Sequence, residues 1–238
     1  MPELKASFPF FLKFAVMVSV FGLVSIPLLL SQSGKYQIDF LFSKPLIGSL
    51  YACICIVGIL AVFYPNKCGK AFMFRNQSGF RDQGDRGVLS GKMSFRGHHP
   101  DCEAFSGNRI MIRKVVLCAA CTGMLFGAVV ALIGTLFYFL VGFVPFPANA
   151  LIFFLGYGGL LLGLAQFKFG GWLKLTVNAL FVLSSFIILV TADVIGKSFL
   201  IDLYVLGLIL FLLLARILFS EWNNKRICSR CEGYEWRE

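Results

Sequence analysis

Runs of about 20 mainly apolar residues dominate this 238-residue chain and limit what it can fold into. A helix that crosses the roughly 30 Å hydrocarbon core of a bilayer needs about 20 such residues. Every backbone amide must be paired inside lipid, and the runs lack the alternation of a membrane barrel, so helices are expected. The chain is therefore predicted to be an all-α, polytopic transmembrane helix bundle. Its six candidate spans are residues 14–30, 45–64, 115–144, 150–167, 175–194 and 201–219.

The composition agrees with this fold class. Hydrophobic residues make up 58% of the chain and charged residues only 14%, whereas a soluble protein carries about 25% charged residues. An ordinary soluble enzyme, a coiled coil and a disordered tail are thereby excluded. The predicted units are two transmembrane helices (1–64), a basic Cys/His loop (65–114), four further spans (115–219) and a tail (220–238). The first run also has features of a cleaved signal peptide, with a small-residue site at residues 31–33.

Basic residues predict the orientation of the spans, because lysine and arginine near span ends mark the cytoplasmic side. With an inner amino terminus and six crossings, all but three of the 22 basic residues lie inside. The exceptions are Lys35, Lys44 and Lys197, and Arg216 is expected to snorkel to the inner surface. The prediction is a multi-pass cell-membrane protein with both termini in the cytoplasm. Since topology already requires these charges, lipids are the expected contacts and nucleic acid is not, while a protein partner or a homo-oligomer stays open.

The inner side carries a pattern of histidine and cysteine that is typical of a metal site. His99-Pro-Asp-Cys102 is followed, after fifteen residues, by Cys118-Ala-Ala-Cys121, which is the spacing of a zinc ribbon. Three thiolates and one imidazole form a closed tetrahedral set for zinc, with iron as the other candidate. His98 is a possible alternative ligand or a second hydrogen-bonding partner. The two-residue gaps let both donors of a pair approach one ion.

A second pair, Cys228-Ser-Arg-Cys231, lies in the predicted tail. Its spacing leaves several pairings open: a separate ion, a site with Cys68, a site with His98 and Cys102, or a four-cysteine site with the first pair. Cys118 and Cys121 also begin the third predicted helix, where the helix dipole and neighbouring basic residues favour thiolates. Thiol redox chemistry is therefore the alternative to metal binding.

The His/Cys element at residues 97–108, followed by Cys-Ala-Ala-Cys-Thr-Gly at 118–123, resembles an uncharacterised, largely archaeal family of small prokaryotic membrane proteins. In that family a His/Cys element precedes a C-x-x-C-T-G motif that leads into a membrane helix, and some members carry a tail pair. This chain departs from the family at Asn108, where some relatives have histidine, and at Ala120. The family has no established activity to transfer. The residues that the resemblance marks are His98, His99, Cys102, Cys118, Cys121, Thr122 and Gly123.

Three functions remain compatible with these patterns, and no reaction is specified by a known catalytic motif. The first is a scaffold, assembly factor or sensor whose cytoplasmic loop is folded by a structural metal, expected to be zinc, because metal-binding free energy is then folding free energy. The second is a membrane thiol oxidoreductase or electron carrier that uses the two C-x-x-C pairs. The third is a metal-ion transporter, which the scarcity of polar residues within the spans disfavours.

Small residues and two acids predict parts of the packing. Gly123, Gly127 and Ala131 recur at steps of four in the third run, as do Gly159 and Gly163 in the fourth. Such stripes permit close helix contact, so the third and fourth spans are expected to pack together, with a homodimer face as the alternative. Asp193 and Asp202 flank Lys197 and are expected to form an exposed ion-pair cluster.

Overall fold

A computed structural model of the chain describes residues 10–32, 42–63, 107–112, 115–144, 146–147 and 149–228. Most of these residues lie in apolar helices, five of which are long enough to cross a membrane. The prediction of a multi-pass all-α bundle is therefore confirmed. The helices are α1 (Phe10–Ser31), α2 (Ser43–Phe63), α3 (Ala119–Thr135), α4 (Ala150–Leu164), α5 (Gly171–Gly196) and α6 (Phe199–Cys228), and a hairpin of β1 (Arg109–Ile112) and β2 (Val115–Cys118) precedes α3.

The third apolar run does not begin as a helix. Val115–Cys118 forms β2, which pairs antiparallel with β1 in a register that places Arg109 opposite Cys118. The helix starts at Ala119 and continues through a π-helical turn (Leu136–Val141), which Gly142 ends in a left-handed conformation with φ of 79°. The span therefore has 23 residues and is not the overlong helix that the sequence suggested.

The fourth run forms a helix that is shorter than a full span. Asn149 caps α4 by accepting a hydrogen bond from the Ile152 amide at 3.0 Å. After Leu164 the chain tightens into a 3-10 turn (Gln166–Lys168). At 1.5 Å per residue, 15 residues reach only about 22 Å. Among the described residues there are thus five helices of spanning length and one short apolar helix, where the sequence predicted six spans.

Helix α5 is the centre of the bundle, and 72% of its most apolar stretch is buried. Its main neighbours are α3, α4 and α6. Gly123 on α3 lies against the carbonyl oxygen of Leu175, and Gly163 on α4 lies against the ring of Phe181, so close that a Cβ on either glycine would collide. The expectation that the third and fourth spans pack on each other was wrong: both glycine stripes pack on α5.

The acids near the turn between α5 and α6 are buried, which corrects the expectation of an exposed cluster. Asp193 is 7% exposed and Asp202 is 3% exposed. Asp193 accepts a hydrogen bond from the Tyr138 hydroxyl, and Lys44 Nζ lies 3.5 Å from Asp193 Oδ2. Lys44 lies at the start of α2, whereas Tyr138 and Asp193 lie near the ends of their helices. The start of α2 and these helix ends therefore meet at one end of the bundle. Which end faces the cytoplasm stays a prediction.

A candidate dithiol site

Two of the predicted site residues have described side chains, and the structure brings these two together. Cys118 and Cys121 are free thiols at the start of α3. Cys228 is the last residue of α6, and only its backbone is described. His98, His99, Cys102 and Cys231 lie outside the described residues, as do Cys68 and nearly all of the predicted loop. Within the described ranges, no three His, Cys, Asp or Glu side chains are placed to share a metal ion.

Cys118 is both the last residue of strand β2 and the N-cap of α3. Its backbone is extended, with φ of −73° and ψ of 118°, and its carbonyl oxygen accepts a hydrogen bond from Thr122 Oγ1 at 2.9 Å. Cys121 follows one helical turn later on the same face. Both thiols are half-buried. The C-x-x-C-T motif therefore begins a helix and places its first sulfur near the amides of the first turn, without a side-chain cap hydrogen bond.

The surroundings of Cys118 favour its thiolate. The Cys121 thiol donates a hydrogen bond to the Cys118 sulfur, which lowers the pKa of Cys118 below its usual range. The amides of Cys121 and Ala120 and the positive charge of Lys174 act in the same direction, and together they outweigh burial. Thiolate at a helix N-terminus, hydrogen-bonded to its C-x-x-C partner, is the arrangement that activates a cysteine as a nucleophile.

Two cationic side chains are buried beside the thiols. Lys174, in the first turn of α5, is 8% exposed, and Arg216 on α6 is 3% exposed. Lys174 Nζ donates a hydrogen bond to Asn108 Oδ1, and Arg216 Nη2 donates one to Gln166 Oε1 at 2.8 Å. Both cations interact electrostatically with Cys121. The expected snorkelling of Arg216 was wrong, because its guanidinium stacks inside the bundle, 4.5 Å from the centre of the Phe181 ring.

Within the described residues, Lys174 and Arg216 form no ion pair with a carboxylate. Their electrostatic partners there are the two sulfurs, of which Cys118 is the one that favours the thiolate. Arg216 Nε and Nη1 are buried and have no hydrogen-bond partner there. A buried cation without an anion is costly. The structure therefore favours a negative charge on the sulfur pair.

Sequence reasoning found the thiols but missed the cations. Arg216 was assigned to the membrane surface because it lies near a span end, and Lys174 was counted only as a topology signal. The sequence did carry one signal for Arg216: it is flanked on both sides by apolar residues (212–215 and 217–219), where a charge needs a partner.

The site supplies half of a zinc ligand set. Two sulfurs one turn apart fit a tetrahedral ion, and a complete set requires donors from beyond the described residues. The hairpin bears on this point, because it places Arg109 beside Cys118. Six residues lie between Cys102 and Arg109, so the connecting chain spans at most about 25 Å.

No protein-family model, curated protein or solved structure matches the chain. The fold and site define it as a multi-pass membrane protein with a C-x-x-C pair at one end of its bundle. The resemblance to the archaeal membrane-protein family stays a prediction.

Proposed function

We propose that this chain is a membrane-bound thiol oxidoreductase whose redox centre is the dithiol of Cys118 and Cys121. One observation carries the proposal: the two sulfurs are hydrogen-bonded partners beside Lys174 and Arg216, which have no other anionic partner among the described residues. Cations beside a sulfur pair stabilise thiolates, whereas they oppose a divalent ion that only two thiolates hold. This arrangement thus supports dithiol chemistry more than a structural metal site.

The roles of the two cysteines follow from their positions. The Cys118 thiolate attacks one sulfur of a partner disulfide, which forms a mixed disulfide and releases the other partner sulfur as a thiolate. Cys121 then gives up its proton and attacks the Cys118 sulfur. An intramolecular disulfide forms, the second partner thiolate leaves, and two electrons have passed from the chain to the partner. Lys174 and Arg216 hold the negative charge that Cys121 acquires as it attacks.

A structural zinc site is the second candidate, and the hairpin register is the observation that favours it. Strand pairing tethers the segment that follows His99 and Cys102 beside Cys118. In this account the chain is a scaffold, assembly factor or sensor, and the metal folds the preceding loop onto α3. Lys174 and Arg216 then balance a centre with three thiolates.

A trapping experiment tests the redox proposal. Cys121→Ser removes the resolving thiol, so purified protein treated with glutathione disulfide should accumulate a glutathione adduct on Cys118, located by peptide mass spectrometry. Cys118→Ser should give no adduct at Cys121. Cys53→Ser is the matched control, because Cys53 is a free, exposed cysteine on α2, away from this site, and it should behave as the unmodified chain.

Metal analysis of the same preparations separates the two candidates. The redox proposal predicts free, reactive Cys118 in protein that was purified without chelator. About one zinc per chain, lost in both Cys118→Ser and Cys121→Ser, together with a Cys118 that reacts only after chelation, would reject the redox proposal and support the zinc site.

A further inference from the structure

A second buried polar cluster lies at the opposite end of α5 from the dithiol. Lys174 is near the start of α5 and Asp193 near its end, about 28 Å apart at 1.5 Å per residue. Asp193 is held by the Tyr138 hydroxyl and by Lys44 Nζ. Lys44 Nζ also lies 5.6 Å from the centre of the Tyr138 ring. The cluster draws on four helices, and Tyr138 belongs to the π-helical turn, a feature frequent at functional sites.

Asp202 faces this cluster from the first turn of α6. Its side chain is 3% exposed, and Oδ1 is buried without a hydrogen bond among the described residues. Its carboxyl interacts directly with that of Asp193. Ser198, one turn earlier on the same face, is 2% exposed, and its hydroxyl oxygen also lacks a partner there. Asp202 Oδ1 and the Ser198 hydroxyl are thus two adjacent buried polar atoms without a hydrogen bond among the described residues.

If both acids are ionised, the cluster has one more negative charge than Lys44 can balance. The groups that face Asp202 are Asp193 on α5, Tyr138 on the π-helical turn after α3 and Lys44 on α2. Lys197 caps the end of α5. Lys44 neutralises Asp193, so an ionised Asp202 would be an unpaired buried charge beside a second carboxylate. Such a charge costs several kcal/mol in a protein interior, and like-charged carboxyls at close range do not both ionise.

We propose that Asp193 and Asp202 form a proton-binding site at the α5–α6 turn. One proton is bound on Asp202, and Lys44 balances the negative charge of Asp193. A proton needs no cavity, and it turns the Asp202 carboxyl into a donor for Asp193. Lys44 is 59% exposed on its side chain, so the cluster meets the surface of the bundle. Ionisable residues buried within membrane-spanning helices are functional-site candidates, and proton relays are among their roles. This site does not depend on the dithiol.

Infrared spectroscopy of the purified full chain tests the proposal. At neutral pH the unmodified protein should show the carbonyl stretching band of a protonated carboxylic acid, and this band should shift in deuterated water. Asp202→Asn, which has the shape of the protonated acid, should fold normally and lose the band. Glu221→Gln, the same carboxyl-to-amide change elsewhere on α6, should keep it.

Three results would overturn the proposal. The first is the absence of the band from the unmodified protein, which decides the matter even if Asp202→Asn does not fold. The second is persistence of the band in folded Asp202→Asn. The third is a thermal unfolding midpoint that rises with sodium chloride but not with choline chloride in protein that lacks the band. The last result would mean that sodium, not a proton, balances Asp202.

Discussion

The guanidinium of Arg216 donates a hydrogen bond from Nη2 to Gln166 Oε1 at 2.8 Å, joining the middle of α6 to the end of α4. Both side chains are buried, and the guanidinium lies over the ring of Phe181 on α5. Gln166 is therefore the one described residue that hydrogen-bonds the Arg216 side chain, and the short helix α4 places it there.

Gln166→Leu should leave Arg216 without this bond and destabilise the bundle. A hydrogen bond to a charged group is worth about 2 kcal/mol, and a buried partner left unpaired adds to the loss. Thermal or denaturant unfolding in detergent measures the effect. Gln166→Glu supplies a carboxylate to the guanidinium and should retain most of the stability. Equal losses in both variants would contradict the inferred role of Gln166.

Lys174→Gln should make Cys118 less reactive at mildly acidic pH, because the surroundings of Cys118 lower its pKa to about 6. The positive charge of Lys174 helps to lower the pKa of Cys118, so its removal raises that pKa and reduces the thiolate fraction. We expect the alkylation profile to shift to higher pH, so that the rate falls most on the acidic side of its midpoint. Lys168→Gln is the control, since Lys168 is an exposed residue of the 3-10 turn. An unchanged profile in Lys174→Gln would show that the charge is not felt at Cys118.

Gly123→Ala should separate α3 from α5. A Cβ at this position would lie 2.2 Å from the carbonyl oxygen of Leu175, and backbone cannot rotate away as a side chain can. Overpacking of this kind costs about 1–3 kcal/mol. Gly158→Ala on α4 meets nothing within 4 Å, so it should be neutral or stabilise by up to about 1 kcal/mol. Similar unfolding midpoints for the two variants would contradict the packing of α3 on α5.

The sequence predicted the helices well because lipid imposes a length and a polarity on any span. It mistook Val115–Cys118 for helix because an unbroken apolar run carries no periodicity that separates strand from helix. Gly123 and Gly163 marked the correct helix faces. They could not name the partner helix, because a stripe of small residues specifies close approach and not what approaches.

The candidate sites divide along the same line. The spacing of Cys118 and Cys121 was visible in the sequence, since both ligands and redox pairs need that gap. The burial of Asp193 and Asp202 was not visible, because a charge near a span end is ordinarily solvated. These charges are buried here because α5 is enclosed by its neighbouring helices, which is a property of the tertiary packing.

The most direct test of the central claim is disulfide mapping of the full chain across a series of glutathione redox buffers. The account predicts a single intramolecular disulfide between Cys118 and Cys121 that forms and disappears reversibly with the buffer ratio, while Cys53 stays unlinked. Two thiols that never join at any ratio, or that join only to other cysteines, would contradict the claim that this pair is a redox centre.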